Sequence, residues 1–152
     1  MERQILWSWR CIFYQYVIEV EAAETGMVTA TSIDKGIKET GHIAIYDILF
    51  AGDKAEIKPE SENALRNIAE FIKENTGSKY FIVGHAASIG DFTSGMTLSE
   101  NRAKAVMNEL TVKYGVNKKQ LKAYGVGSLC PVSSNKSDEG RAKNRRVEIV
   151  EQ

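Results

Sequence analysis

Few residues in this 152-residue sequence are equipped for chemistry. His42 and His85 are its two histidines, and no carboxylate stands at ligand spacing from either, so no metal site is read. Cys130 with His85 offers a thiol and a base. No oxyanion motif or third orienting residue accompanies them, and no catalytic residue is assigned. Gly125-Val126-Gly127 lacks the third glycine and the following helix of a nucleotide loop, and no cofactor is expected. What remains is charge. Residues 1–100 hold 9 basic and 15 acidic side chains, whereas residues 101–152 hold 11 basic and 5 acidic. The basic last third, with Arg102 and the pair Arg145-Arg146, either holds an anion or faces the acidic part of its own fold. Taken alone, Arg102 on a surface helix is a solvated or self-paired arginine. Arg145 and Arg146 either extend a basic site or blunt an edge strand.

The rest of the composition bounds the class. Twenty Lys and Arg balance 20 Asp and Glu, which excludes a global nucleic-acid binder, because that affinity comes from phosphate neutralisation. With 43% hydrophobic and 26% charged residues the chain reads as an ordinary globular protein. No apolar run approaches the roughly 18–20 residues that span a bilayer, so no transmembrane segment is expected. Met1-Glu2-Arg3 is not a positive leader start and Arg10 interrupts the apolar stretch, so no export signal is read. Cys11 and Cys130 are expected to be free thiols.

These residues need elements to position them. Ile5 to Val20 alternates aromatic and β-branched residues, including Trp7 and Trp9, and reads as a strand. It either pairs with the main sheet or is the tail of a larger upstream domain. Residues 21–41, with a short helix from Ser32 to Glu39, read as a connector. The chain therefore divides into residues 1–42, a strand-like segment and connector, and residues 43–152, a domain. Ile43 to Phe50 reads as a strand. Pro59 suits the first turn of a helix whose stripe is Leu65, Ile68, Ala69 and Ile72. Gly77 is expected to cap it in the left-handed conformation. Tyr80 to Val83 is a strand, and Gly84 to Gly95 is a polar loop. Thr97 and Glu100 form a capping box for a second helix with Ala103, Val106, Met107 and Leu110 inside. Gln120 to Val126 is a strand. Gly127 to Asn144 is a loop with room for a helical turn. Arg145 to Val150 is the last strand, with Val147 and Ile149 on one face and Arg146 and Glu148 on the other. The order predicts an α+β fold: a β-α-β-α-β-β two-layer sandwich, a mixed sheet with helices on one face.

Several motifs in this order carry a resemblance. They are Ile57-Lys58-Pro59-Glu60, Gly84-His85, Leu98-Ser99-Glu100-Asn101-Arg102-Ala103, Gly125-Val126-Gly127 and Asn144-Arg145-Arg146-Val147-Glu148-Ile149. Together, over residues 43–151, they resemble the OmpA C-terminal-like domain family, which includes the Pal lipoproteins and the MotB stator domain. The resemblance implies a non-enzymatic bacterial envelope domain in the periplasm or at the outer membrane. It also implies peptidoglycan, and other envelope proteins, as partners. The family's ligand is the diaminopimelate side chain of the peptide stem, which ends in an ammonium and a carboxylate. The carboxylate asks for a guanidinium fork and the ammonium for an acid. In the family the guanidinium comes from a Leu-Ser-x-x-Arg-Ala motif, here Leu98 to Ala103, which makes Arg102 the candidate and Leu98 part of its frame. Arg145 and Arg146 extend the same basic site.

The acidic half departs from that pattern. The family's Thr-Asp pair after Gly-His is Ala86-Ala87 here, its Asn seven residues before the arginine is Gly95, and its Asp-Thr pair after the first strand's Phe is Ala51-Gly52, with Asp53 next. Three alternatives stay open. Asp53 or Asp91 supplies the carboxylate from a neighbouring loop. The pocket takes a different stem or another anion at Arg102. Or the fold persists as a structural or protein-interaction module that has lost diaminopimelate binding.

Overall fold

The computed structural model describes residues 27–88 and 90–152. The strand expected over residues 5–20, with Trp7, Trp9 and Cys11, lies outside the described residues.

The first described helix, α1 (Ala30–Thr40), starts at Thr29, whose hydroxyl accepts from Ser32 N while Ser32 Oγ accepts from Thr29 N. Gly41 ends it. Ile33 and Ile37 are buried in the same core as the rest of the fold. The segment before it is pinned from two sides: Val28 N donates to Asp47 Oδ2 at 3.0 Å, and Val28 O accepts from Asn67 Nδ2 at 2.6 Å.

Strand β1 (His42–Ile45) is shorter than expected. Residues 46–58 leave the sheet and fold back on themselves through the bridge between Phe50 and Ile57. A single 3-10 turn, Pro59–Ser61, then leads into α2 (Glu62–Glu74). The proline stands where its missing N–H costs nothing. The apolar stripe of α2 is the expected one, widened by Ala64 and Phe71. Asn75, and not Gly77, caps it. Gln120 supplies what a left-handed glycine would have: its Nε2 donates to Ile72 O, Asn75 O and Ser78 O.

Strand β2 (Tyr80–Gly84) precedes α3 (Phe92–Val112), which begins five residues before the expected capping box. Asp91 is the cap, accepting from Ser94 N at 2.8 Å, so Thr97 and Glu100 lie inside the helix. Strand β3 (Leu121–Gly125), the short α4 (Asp138–Asn144) and β4 (Val147–Glu151) complete the chain.

The sheet order is β1-β4-β2-β3. β2 and β3 are parallel, as a helical crossover requires, and β4 runs antiparallel to both β1 and β2. The architecture is the expected mixed-sheet α+β layer. One expectation about the sheet is corrected. β1 and β2 are not neighbours, because β4 inserts between them. β4 is therefore central, and Arg145-Arg146 does not blunt an edge. Ile45, Tyr80, Ile82, Leu121, Val147 and Ile149 meet the helical stripes in one core.

α3 sits close against the ends of β2 and β3, and two glycines allow it. A Cβ on Gly84 would strike Ser99 O, and one on Gly125 would strike Glu100 N. Ser99 is fully buried in this seam, where its hydroxyl accepts from Gly127 N at 2.9 Å and donates to Met96 O at 2.8 Å. Gly125→Ala is expected to destabilise by about 2–3 kcal/mol through overpacking against backbone that cannot move aside. Gly95→Ala, whose new methyl meets nothing inside α3, is expected to stabilise by about 0.5–1 kcal/mol. Urea midpoints of the two variants against the parent check both signs.

Candidate functional site

The three arginines converge on one cleft of about 450 Å³. It opens between the 46–58 loop, the end of β2, the middle of α3 and the α4–β4 junction. Its cationic lining is Lys58, Arg102, Lys143, Arg145 and Arg146, with His85 beside them, and Tyr46, Leu49 and Phe50 give it an apolar side.

Arg102 is 6% exposed, not the solvated helix arginine that spacing alone suggests. α3 aims it at the 51–56 turn, which is closed by Ala51 N donating to Glu56 O at 2.9 Å. Arg102 Nη2 donates to Gly52 O at 2.7 Å and Nε to Lys54 O at 3.0 Å. The guanidinium lies 4.8 Å over the Phe50 ring, a cation–π position. Its remaining nitrogen, Nη1, donates to neither carbonyl. Burial lowers the Arg102 pKa from its ordinary 12.5; Asp53 works against that shift and Arg145 adds to it. An arginine stays charged through such shifts. The site thus holds a desolvated cation braced by neutral carbonyls.

Arg146 lies deeper, at 5% exposure. Nε donates to Glu148 Oε1 at 2.6 Å and Nη2 to Cys130 O at 3.2 Å. Nη1 is buried with no hydrogen-bond partner among the described residues. His85 follows β2 directly, and its backbone N donates to Arg146 O at 3.0 Å. Its Nε2 stands 3.6 Å from Glu148 Oε1, and the other carboxylate oxygen, Oε2, is 3.8 Å from His42 Nδ1. Burial alone would raise the Glu148 carboxyl. The His85 contact and the Arg146 charge outweigh it and hold the pKa at about 2.

The α4–β4 junction is set by Asn144, which is 1% exposed. Its Oδ1 accepts from Val132 N at 2.8 Å and Ser133 N at 3.1 Å, and its Nδ2 donates to Ser133 O at 2.8 Å and Asn135 Oδ1 at 2.9 Å. Asn135 Oδ1 also accepts from Ser88 N, joining the loop after β2 to the loop before α4. One side chain therefore folds two loops around the cleft and presents Arg145, which is exposed, at its rim.

The remaining expected residues stand elsewhere. Asp53 is exposed and outside the lining, near enough to act on Arg102 electrostatically. Asp91 is outside it too; the Ser94 N–H bond dominates in lowering its carboxyl pKa. Leu98 is half-buried and does not line the cleft. Cys130, expected as a free thiol, is disulfide-bonded and so offers no nucleophile. Sequence reading missed Lys58, Lys143 and Phe50, whose spacing carries no signal. It also missed the inward role of Glu148, which period-two alternation put on the sheet's other face without saying that this face is buried there.

The OmpA family model matches residues 49–145. Outer membrane porin F of Pseudomonas aeruginosa is 39% identical over 102 residues, covering 67% of this chain and 29% of that protein. The peptidoglycan-associated lipoprotein of Pseudomonas putida is 33% identical over 119 residues, covering 78% of this chain and 70% of that one. The crystal structure of the peptidoglycan-associated lipoprotein from Burkholderia pseudomallei superposes with a TM-score of 0.63 at 26% identity, over 69% of this chain and 88% of that one. The chain spans only 29% to 53% of the length of several curated relatives. No helix among the described residues is long and apolar enough to cross a membrane.

Glu148 yields a prediction with a definite sign. Its pKa is depressed on folding from an ordinary 4.5 to about 2, so its stabilisation is complete above pH 4.5 and lost as pH falls toward 2. Glu148→Gln also leaves Arg146 buried without its counter-charge, and a loss of about 3–5 kcal/mol at neutral pH is expected. Urea unfolding from pH 7 down to pH 2 is expected to show a gentler acid slope in the variant than in the parent.

Proposed function

The chain belongs to the OmpA family, and from that premise we propose that it is a non-catalytic envelope module that binds peptidoglycan peptide stems non-covalently. The cleft receives the stem's carboxylate, with Arg102 as its inner cation and Arg145 as its outer one. The convergence of Arg102, Arg145 and Arg146 from two distant stretches of chain on one cleft is the observation that carries this reading.

The physical case is the cost of that arrangement. Gathering five cations around one cleft is unfavourable unless an anion answers them, since like charges repel and each loses hydration. Glu148 answers Arg146 from behind. Arg102 has two carbonyls and the Phe50 ring but no ion pair, and Arg145 at the rim has no ion pair with a described residue. A carboxylate placed against Nη1 of Arg102 and the Arg145 guanidinium would make charge-assisted hydrogen bonds in a partly desolvated setting, where they are strong. The envelope location follows from the same family membership.

A second reading has its own observation. Ala86 and Ala87 are buried at the positions that the resemblance matches to the family's Thr-Asp pair, which favours a domain that keeps the fold for protein contacts. The two readings separate in one experiment. The peptide-stem reading expects the chain to co-sediment with purified sacculi, and to do so less as salt rises. Arg145→Ala touches no internal bond and is expected to weaken sedimentation about three- to tenfold, the worth of one partly exposed charged hydrogen bond. Arg102→Ala is expected to weaken it further, while also loosening the 51–56 turn. A parent that stays in the supernatant at low salt overturns this function in favour of the protein-contact reading.

A further inference from the structure

Resting on the peptide-stem reading, we propose that the cleft recognises a carboxylate without a free ammonium beside it, so that the stems it takes are those whose side-chain amine is already acylated.

The first support is an account of the acids. No carboxylate lines the cleft among the described residues. Glu148 is the nearest in sequence to its arginines, but Arg146 and His85 enclose it and hold it below the usual carboxylate range. Asp91 is spent on Ser94 at the start of α3. Asp53 acts on Arg102 electrostatically but is exposed and stands outside the lining, with no ion pair to the guanidinium. Positions 86 and 87, directly after His85, are alanines buried to 7% and 8% exposure, with no polar side-chain atom to offer.

The second support is an account of the neutral acceptors. An ammonium can be satisfied by carbonyls instead of an acid. The carbonyls nearest the guanidinium, Gly52 O and Lys54 O, already accept from Arg102. Gly127 O accepts from Ala86 N, and Arg146 O accepts from His85 N. A free ammonium entering the cleft would meet Lys58, Arg102, Lys143, Arg145 and Arg146, all of its own sign. An acylated amine has no such difficulty. It is neutral and keeps one N–H donor. Its acyl group adds apolar surface that Tyr46, Leu49 and Phe50 can cover. The carboxylate beside it keeps its full attraction to Arg102 and Arg145.

Calorimetric titration of the intact chain with meso-diaminopimelate and with its di-N-acetyl derivative, which keeps both carboxylates and no ammonium, tests this. The acetylated probe is expected to bind more tightly than the free amine. Arg145→Ala is expected to weaken both alike, which locates them at the cleft. Ala87→Asp, which adds an acid next to His85, is expected to shift the ratio toward the free amine by about tenfold, the scale of one charge-assisted hydrogen bond. A parent that binds the free amine as tightly as the acetylated probe, or more tightly, overturns this inference and leaves the peptide-stem reading standing. An Ala87→Asp variant that folds but keeps the parent's order overturns it as well. Binding of neither probe, together with no sedimentation on sacculi, overturns the peptide-stem reading and this inference with it.

Discussion

A carboxylate buried in the central strand organises the charged end of this fold. Glu148 sits on β4 between Ala44 of β1 and Val83 of β2, which leave room but offer no polar atom. An unpaired carboxylate there would be costly enough to unfold a domain of this size. Arg146 and His85 meet that cost, and each is fixed by doing so. Arg146 cannot turn outward without stranding the carboxylate. His85 is held by its backbone bond to Arg146 O as well. The back wall of the cleft is thus rigid because its charges are obligatory to one another. A buried ion pair of this kind need not add net stability over an apolar substitute. What it adds here is position: two polar side chains locked at one end of the sheet.

The second constraint is steric. α3 comes so near β2 and β3 that only hydrogen is tolerated at Gly84 and Gly125. That depth brings Arg102 within reach of the 51–56 turn, because the arginine lies one helical turn beyond the buried Ser99. The turn in turn exists because residues 46–58 leave the sheet early. Had β1 run on to Phe50, as its apolar residues suggest, Gly52 O and Lys54 O would not be presented to the guanidinium. The asymmetry of charge along the chain acquires a spatial meaning from these two constraints. Part of the basic last third is not spread over a solvated face. Arg102, Lys143, Arg145 and Arg146 are gathered at one cleft, and most acids of the first hundred residues stand away from it.

The sequence carried a good deal of this by itself. Helical stripes in α2 and α3, the proline before α2 and the alternation in β4 are local signals, legible because periodicity depends on neighbours three, four or two residues away. The motif order was sufficient for the family, and the resemblance singled out Arg102, Arg145 and Arg146 as candidates. Local signals misled where a competing partner was remote. Thr97 and Glu100 look like a capping box, yet Asp91 captures the helix start first. Gly77 looks like a cap, yet Gln120, more than forty residues away, satisfies the end of α2.

Residue types and spacing alone determined that the chain would build an α+β layer with a basic C-terminal third; the resemblance added that the family's Thr-Asp pair is replaced by alanines. Tertiary structure decided everything that depends on which charges are answered. It made Glu148 an internal counter-ion, spent Asp91 on a helix end, left Asp53 outside, and added Lys58 and Lys143 to the cationic wall. The physical reason is that a charge's role is fixed by its burial and by partners within a few ångströms. Those partners come from chain segments whose separation along the sequence, such as the 50 residues between Gly52 and Arg102, has no regular relation to their distance in space.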